Sequence, residues 1–486
     1  MKITVTRFTI ELISPLHIGS GNNNPDTDAA VVRDAFGDYR IPGSSIAGAL
    51  RAFCGNKLSS VWGTAGKENK SSAIEVSDGF LIDWDGKTTL SKHISGGDKV
   101  EFPTFVEIQD HVRIDHECGT AEDGGKFDAE IVPEGTRFRC EMTLIERNDD
   151  PLVIEAFQVA LNGLAQGEIA LGGDLASGLG QVRILNNSAT QTTFDLSNSS
   201  GLSGARNRPA AIDQPSSVNA KPLNLDKLQV SAPENIKDCL CGKVTIHFRA
   251  DGPLLVGGSQ KPSSDADADR NHGADLVFGE ARVADYQAKK LIAKPWVPGS
   301  SLRGAIRHRV WHILEAIAPS QANERINNLF GFVDGNKQSA SKIRVHGQFL
   351  EQIPRTQVQH VAIDRLTGGS LKGALYSEAP IWRDDLEIKV GLVLDQVTLA
   401  DAAVLAHAII DMGNGELQIG GGARRGNGQL LFAQAKAGQP NFLGKSIEFQ
   451  INLNNVKYSN SSPKDSLEKL IDMLESANAT LAGATT

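Results

Sequence analysis

The sequence predicts an α+β protein built from two copies of one domain, each a ferredoxin-like (RRM-type) arrangement. Three observations predict it. The stretch RIPGSSIAGALR at 40–51 returns as WVPGSSLRGAIR at 296–307. Four further pairs recur in the same order: 15–20 with 253–258, 61–63 with 329–331, 111–115 with 360–364, and 171–182 with 419–430. Their separations stay between 238 residues (Pro15 to Pro253) and 268 residues (Val61 to Leu329), as a tandem duplication requires. Finally, the hydrophobic periods of each copy run βα and then ββαβ, the order of a split βαβ fold.

Each element follows from its residues. An alternating strand (3–13; 243–249) leads into a Gly turn and a polar loop. A Pro-Gly corner stops the chain, and the apolar period beyond it predicts helices over 45–54 and 301–318, with Ser44, Ser45, Ser300 and Ser301 placed to cap free N–H groups. The segments 111–138 and 360–382 read as β-hairpins with glycine-rich tips, shaped as protruding fingers. A strand (137–145; 386–394) precedes an apolar helix (152–166; 399–412), and a Gly-rich loop with a last strand closes each unit. Domains are therefore expected at 1–190 and 241–458. A Ser/Asn/Ala/Pro-rich linker is expected at 191–240, and a tail at 459–486 carrying one amphipathic helix over 466–476. Residues 259–295 read as a longer version of the loop at 21–39.

Composition narrows the function classes. At 486 residues, 40% hydrophobic and 22% charged, the chain reads as soluble with more than one core. A formal charge of −9 argues against a free-standing nucleic-acid binder, because phosphate neutralisation needs clustered cations, yet it leaves room for a local basic groove. Five cysteines show no metal-type spacing and read as reduced thiols. The N-terminus has a strand pattern instead of a signal peptide, and no apolar run spans a bilayer, so a cytoplasmic protein with no membrane partner is expected.

Four groups of residues carry candidate chemistry, each beside a plainer reading. A helix start with free N–H groups suits a phosphate, with Ser44, Ser45, Arg51, Ser300, Ser301, Arg303 and Arg307 around it; the plainer reading is a turn and core helix. Small residues at Gly48 and Gly304 admit a close neighbour or ligand. The Gly-rich loops (Gly172, Gly173; Gly421, Gly422) follow a helix and precede a strand, the reverse of a dinucleotide fingerprint. They read either as backbone hugging a phosphate chain, helped by Arg424 and Arg425, or as a tight αβ connection. On the fingers, His111 and His360 can touch phosphate or move a proton, or serve structure; Arg113, Arg365 and Lys372 are candidate RNA contacts, while Asp115 and Asp364 suit side-chain-to-backbone bonds. Acids cluster before each Pro-Gly corner: Asp26, Asp28 and Asp34, then Asp265, Asp267, Asp269 and Asp275. They read as metal ligands or bases for a ribose hydroxyl, or as a solvated loop.

Taken together, the HIGSG segment followed by acids, the IPGSSIAGALR corner, the HVRID finger and the terminal Gly-rich loop resemble the RAMP superfamily. More narrowly they are similar to the backbone subunits of type III CRISPR effector complexes, here fused in tandem as in III-D-like double subunits. The resemblance implies a palm that grips guide CRISPR RNA by its phosphates, and a thumb hairpin that wedges into the guide–target duplex. It also implies partner subunits (further backbone subunits and the large and small subunits) and cleavage of target RNA with Mg²⁺ or another divalent cation. Carried over, Asp28 matches the catalytic and metal-holding acid, with Asp26 second; Asp267, Asp269 and Asp275 compete for that role in the second unit. A catalytically silent scaffold of the same complex and a stand-alone guide-processing ribonuclease are the alternatives.

Overall fold

The computed structural model describes residues 1–450 except 22–26, 65–69, 96–106, 116–120, 148–149, 218, 226–238, 259–273, 335–336, 434–440 and 443–444. The expected tail helix and Asp26, Asp267 and Asp269 thus lie outside the described residues. In the first unit, β1 (Lys2–Leu12) is the central strand. Its alternation sends Phe8, Ile10 and Leu12 into the core and Arg7 and Thr9 to the other face. Helix α1 (Gly43–Leu58) is broken at Gly55 by a φ of 72°, so its regular part ends where the apolar period ends. Strands β2 (Glu107–Ile114) and β3 (Ala121–Ile131) pair as the projecting hairpin. Strand β4 (Arg137–Glu146) runs antiparallel to β1, with Lys2 opposite Glu146 and Glu11 opposite Arg137.

Helix α2 (Pro151–Gln166) starts where Asp150 accepts the Leu152 N–H at 3.0 Å and stops at a left-handed Gly167. It packs over β1 and β4, where Phe157, Ala160 and Leu164 are buried against Phe8, Phe138 and Met142. Burial of each such large side chain contributes roughly 1.5–3 kcal/mol. Strands β5 (Val182–Ile184) and β6 (Thr190–Asp195) pair with the remaining edge of β1.

The second unit repeats this plan. It comprises β7 (Cys239–Ala250), a hairpin of β8 (Glu280–Asp285) and β9 (Lys290–Val297), α3 (Gly299–Ile317) and β10 (Ile343–His346). The projecting hairpin of β11 (Val358–Ile363) and β12 (Ser370–Ala379) follows, then β13 (Glu387–Thr398), α4 (Leu399–Gly413), β14 (Leu430–Phe432) and β15 (Lys445–Gln450). Strand β7 pairs with β13 on one side and with β14 and β15 on the other, as β1 does with β4, β5 and β6.

Two sequence expectations change here. The stretch read as linker begins with β6, a strand of the first sheet, because Thr192 and Phe194 alternate inward. Its continuation straps the second face of that sheet: the buried Arg7 donates to the carbonyls of Pro209, Ala211 and Gln214 at 2.6–2.9 Å and pairs with Glu141 at 2.6 Å. Such a cation is tolerable only because every direction around it is occupied by an acceptor. The end of 259–295 is likewise no loop. Six residues separate Arg33 from its bridge partner Tyr39, whereas fifteen separate Glu280 from Pro295, and the longer β8–β9 hairpin reaches the first unit.

That hairpin joins the two units head to tail. The Tyr286 hydroxyl donates to the Ile82 carbonyl at 2.7 Å and accepts the Arg137 N–H at 3.2 Å, with the Arg137 guanidinium 4.3 Å from the ring centre. The Ala284 N–H donates to the Glu134 carbonyl at 2.7 Å, and the Arg282 N–H to the Glu107 carboxylate at 3.0–3.1 Å. Ile131 and Leu179 of the first unit share a small core with Ala281 and Trp296 of the second.

Burial pushes the carboxyls of Glu107 and Glu134 up to about 7 at this joint. Because the folded form then holds more protons than the unfolded one, the sign is fixed: the joint is strongest near pH 4.5 and weakens as pH rises to about 7. Thermal melting should therefore fall between pH 5 and 7.5, and Glu134→Gln should flatten that decline; a melting curve indifferent to pH in this window would contradict the assignment.

Candidate nucleic-acid interface

The Gly-rich loops are explained by the chain itself. A Cβ at Gly172 would lie 2.1 Å from the His17 carbonyl oxygen, and one at Gly420 would lie 2.3 Å from that of Leu255. The Gly173 N–H donates to His17 O and the Gly180 N–H to Pro15 O; Gly421 and Gly428 donate equivalently to Leu255 O and Pro253 O, all at 2.6–2.8 Å. The two motifs recur together because they bond each other. Gly172, Gly173, Gly421 and Gly422 thus form part of a structural lock: the N–H groups of Gly173 and Gly421 are spent on those carbonyls and are not open to a phosphate, and a Cβ at Gly422 would meet Asn427.

At the helix starts three of the N–H groups are already engaged. The Gly43 N–H donates to the Asp78 carboxylate at 2.7 Å, and Ser45 and Ser301 donate their N–H groups to Pro42 and Pro298 at 2.9 and 3.1 Å. Helix α3 carries no side-chain cap, so its serines do not act as one. Ser44 is exposed; Ser45, Ser300 and Ser301 are half-buried. What is open is the next turn. A Cβ at Gly48 or Gly304 would meet nothing within 4 Å, and both glycines are exposed. A glycine inside an exposed helix costs about 1 kcal/mol relative to alanine, and packing explains neither one.

Beside Gly304, Arg303 and Arg307 are the strongest cationic feature of α3. Both Nε atoms are buried with no hydrogen-bond partner among the described residues. Arg303 donates from Nη2 to the Phe330 carbonyl and lies 5.6 Å from that ring's centre. Burial and then mutual repulsion hold the Arg303 guanidinium below its ordinary value, and burial followed by repulsion from Arg113 does the same to Arg307. The first-unit hairpin therefore stands within electrostatic reach of the second-unit helix. Asp174 acts electrostatically on both Arg303 and His111. A buried guanidinium N–H left unpaired costs about 1–3 kcal/mol, a penalty that an anion at this place removes. The first unit has Ala47 in place of Arg303, and its Arg51 is exposed.

The hairpins present apolar faces to solvent: Val112, Ile114 and Phe127 on one, and Ile363, Leu366 and Leu375 on the other, Leu366 being 97% exposed. Their histidines stack on aromatic neighbours, His111 on Phe127 and His360 on Tyr376. Burial lowers the His111 pKa against the opposing pull of Asp174 and Asp110. His360 sits 3.1 Å from the buried Glu378, which also pairs with Arg425; that ion pair draws Arg425 away from a free phosphate-binding role. Arg424, Arg365 and Lys372 are exposed, and Arg113 pairs loosely with Glu122 at 3.5 Å. Asp364 accepts N–H bonds from Leu366 and Thr367 at 3.0 and 2.7 Å, fixing the turn of its hairpin.

The acidic loops occupy the base of the hairpins. Asp28 is exposed; its N–H donates to Asp128 Oδ1 at 2.8 Å while its Oδ2 accepts the Asp128 N–H at 3.0 Å. In the second unit the Asp275 N–H donates to Ser377 Oγ at 3.1 Å, and Asp275 Oδ2 accepts the Ser377 N–H at 2.8 Å. Hydrogen bonds from Ser377 hold the Asp275 carboxyl below the usual range. The match singles out Asp275 as the counterpart of Asp28, a ranking that spacing alone left open. No cluster of three or more His, Cys, Asp or Glu suited to a metal occurs among the described residues. Asp28 keeps Oδ1 outside its bonds to the protein, which fits a Mg²⁺ held by one carboxylate and completed by substrate phosphate and water. It does not fit a closed cage.

The sequence profile of the RAMP superfamily matches residues 9–183 and 247–431, one match per unit. The chain belongs to the RAMP superfamily. Over 201 residues it is 26% identical to the CRISPR system Cms endoribonuclease Csm3 of Methanocaldococcus jannaschii, covering 36% of this chain and 75% of that relative. A chain of the type III-B Cmr-beta complex, solved by cryo-EM in its apo state, aligns at 15% identity with a TM-score of 0.30, over 37% of this chain and 96% of that one. No helix among the described residues is long and apolar enough to cross a membrane.

The open glycine makes a two-signed prediction. Gly304→Ala should raise the thermal stability of the RNA-free chain by about 0.5–1 kcal/mol, and lower its affinity for single-stranded RNA in a filter-binding titration about tenfold. Unchanged affinity would place RNA elsewhere.

Proposed function

We propose that the chain is an RNA-gripping backbone subunit of a type III CRISPR ribonucleoprotein, with guide-directed cleavage of target RNA at its acidic loops. The observation that carries this reading is the pair of buried, unpartnered guanidinium nitrogens of Arg303 and Arg307, beside an exposed, empty Gly304. A phosphate chain satisfies both at once, and a polymer lying there reads geometry and charge while base pairing supplies sequence. Similarity to a relative named an endoribonuclease supports the enzymatic half. The same reading implies guide RNA, target RNA and neighbouring subunits as partners.

In the reaction, the 2′-oxygen beside a displaced nucleotide attacks its phosphorus, the 2′-O–P bond forms and the P–O5′ bond breaks. The products are a 2′,3′-cyclic phosphate and a 5′-hydroxyl. The exposed apolar faces of the hairpins displace that nucleotide, and in-line alignment of the strained linkage supplies much of the rate. Asp28 orients the 2′-hydroxyl and takes its proton; Asp275 does so in the second unit, and water protonates the leaving oxygen. Asp28 would hold a divalent cation through its unbonded Oδ1, and that ion would supply charge neutralisation to the reaction.

Two measurements test this. In the assembled complex, Asp28→Ala should abolish one cut in the target and leave guide binding intact, and Asp275→Ala should abolish a different cut. Persistence of both cuts in the double variant refutes the enzymatic reading and leaves a silent scaffold. Separately, Arg307→Ala should weaken RNA binding and reduce the slope of log affinity against log salt by about 0.7; an unchanged slope would remove Arg307 from the phosphate track.

A further inference from the structure

The acidic loop of each unit is welded to its hairpin in the same way, although the welding residues differ. Ala29 lies in a parallel bridge with Ala129, and Leu276 and Val277 pair in parallel with Glu378 and Ala379. Around those bridges, the strand residue gives its N–H to the acid's Oδ2 and takes the acid's N–H on its own side-chain oxygen. In the first unit that residue is Asp128, which also accepts the Thr27 hydroxyl at 2.8 Å. In the second it is Ser377, whose hydroxyl adds a bond of 3.0 Å to Asp275 Oδ2. Asp128 and Ser377 stand 249 residues apart and Asp28 and Asp275 stand 247 apart, within the spread of the duplication. No single motif in the sequence contains either pair.

We infer that Asp128 and Ser377 are positioning residues that fix each acid relative to its hairpin, so that insertion of the hairpin into a duplex places the acid at the displaced nucleotide. The inference rests on the reading of Asp28 and Asp275 given above. Its physical basis is that an exposed loop carboxylate samples several rotamers, whereas a reciprocal pair of bonds to a strand holds one. A misplacement of about 1 Å at a reacting centre costs on the order of a hundredfold in rate. Because aspartate and serine achieve the same ring of bonds, each unit supplies the conservative replacement for the other.

The test uses the assembled complex loaded with guide and saturating target, with each cut followed separately. Asp128→Ala should slow the cut assigned to Asp28 at least tenfold, leave the other cut unchanged and keep guide affinity within threefold. Asp128→Ser, which restores the ring in its second-unit form, should return the rate to within threefold of the parent. Ser377→Ala should slow only the cut assigned to Asp275. If Asp128→Ala cuts within threefold of the parent, or Asp128→Ser is as slow as Asp128→Ala, the positioning role is wrong. Asp28→Ala separates the two levels: a parental rate in that variant defeats the underlying assignment, whereas its loss beside an active Asp128→Ala defeats the positioning role alone.

Discussion

The arrangement depends on how closely the start of α3 approaches the first unit. A Cβ at Gly299 would lie 2.2 Å from both the Ser177 and the Val345 carbonyl oxygens, a separation no side chain tolerates. Glycine there lets the second-unit helix start against the first-unit Gly-rich loop, and the reach of the β8–β9 hairpin holds it in place. Gly43 meets the same requirement inside its own unit, where a Cβ would lie 2.5 Å from Val76 O. That approach brings Arg303 and Arg307 of the second unit within electrostatic reach of Arg113 and Asp174 of the first.

This explains how an acidic chain holds a concentrated cationic site. Charge is local: a net −9 spread over the surface is screened within about 10 Å at ordinary salt, whereas buried guanidinium groups are not. The lock between the Gly-rich loops and the Pro15 and Pro253 segments supplies a rigid floor, and the clamp at Asp28 and Asp275 ties these carboxylates to the hairpins. Rigid floor, cationic wall and projecting wedge are thus separate pieces of backbone, each fixed by its own hydrogen bonds.

The repeat made most of this legible. Helix and strand positions followed from periodicity because the central strands alternate cleanly, and Gly55 ended α1 where the apolar pattern ended. The Gly-rich loops were legible as needing glycine but not as to why, since the carbonyls they approach lie far away in sequence, 165 residues from Pro15 to Gly180 and 166 from Leu255 to Gly421. The β8–β9 hairpin was missed although EARVAD and KLIAKPWV alternate around a polar turn; the acidic run before it disguised the pattern. Asp128 and Ser377 were invisible for another reason. They are unlike residues at equivalent places, and a repeat shows only what both copies keep.

The central claim is that RNA phosphates satisfy the arginines of α3. An experimentally determined structure of the chain with guide RNA tests it most directly. The account predicts a phosphate oxygen within about 3 Å of the Nε atoms of Arg303 or Arg307, with the backbone passing over Gly304. A bound guide that leaves both nitrogens unpaired and the Gly304 face empty would contradict it.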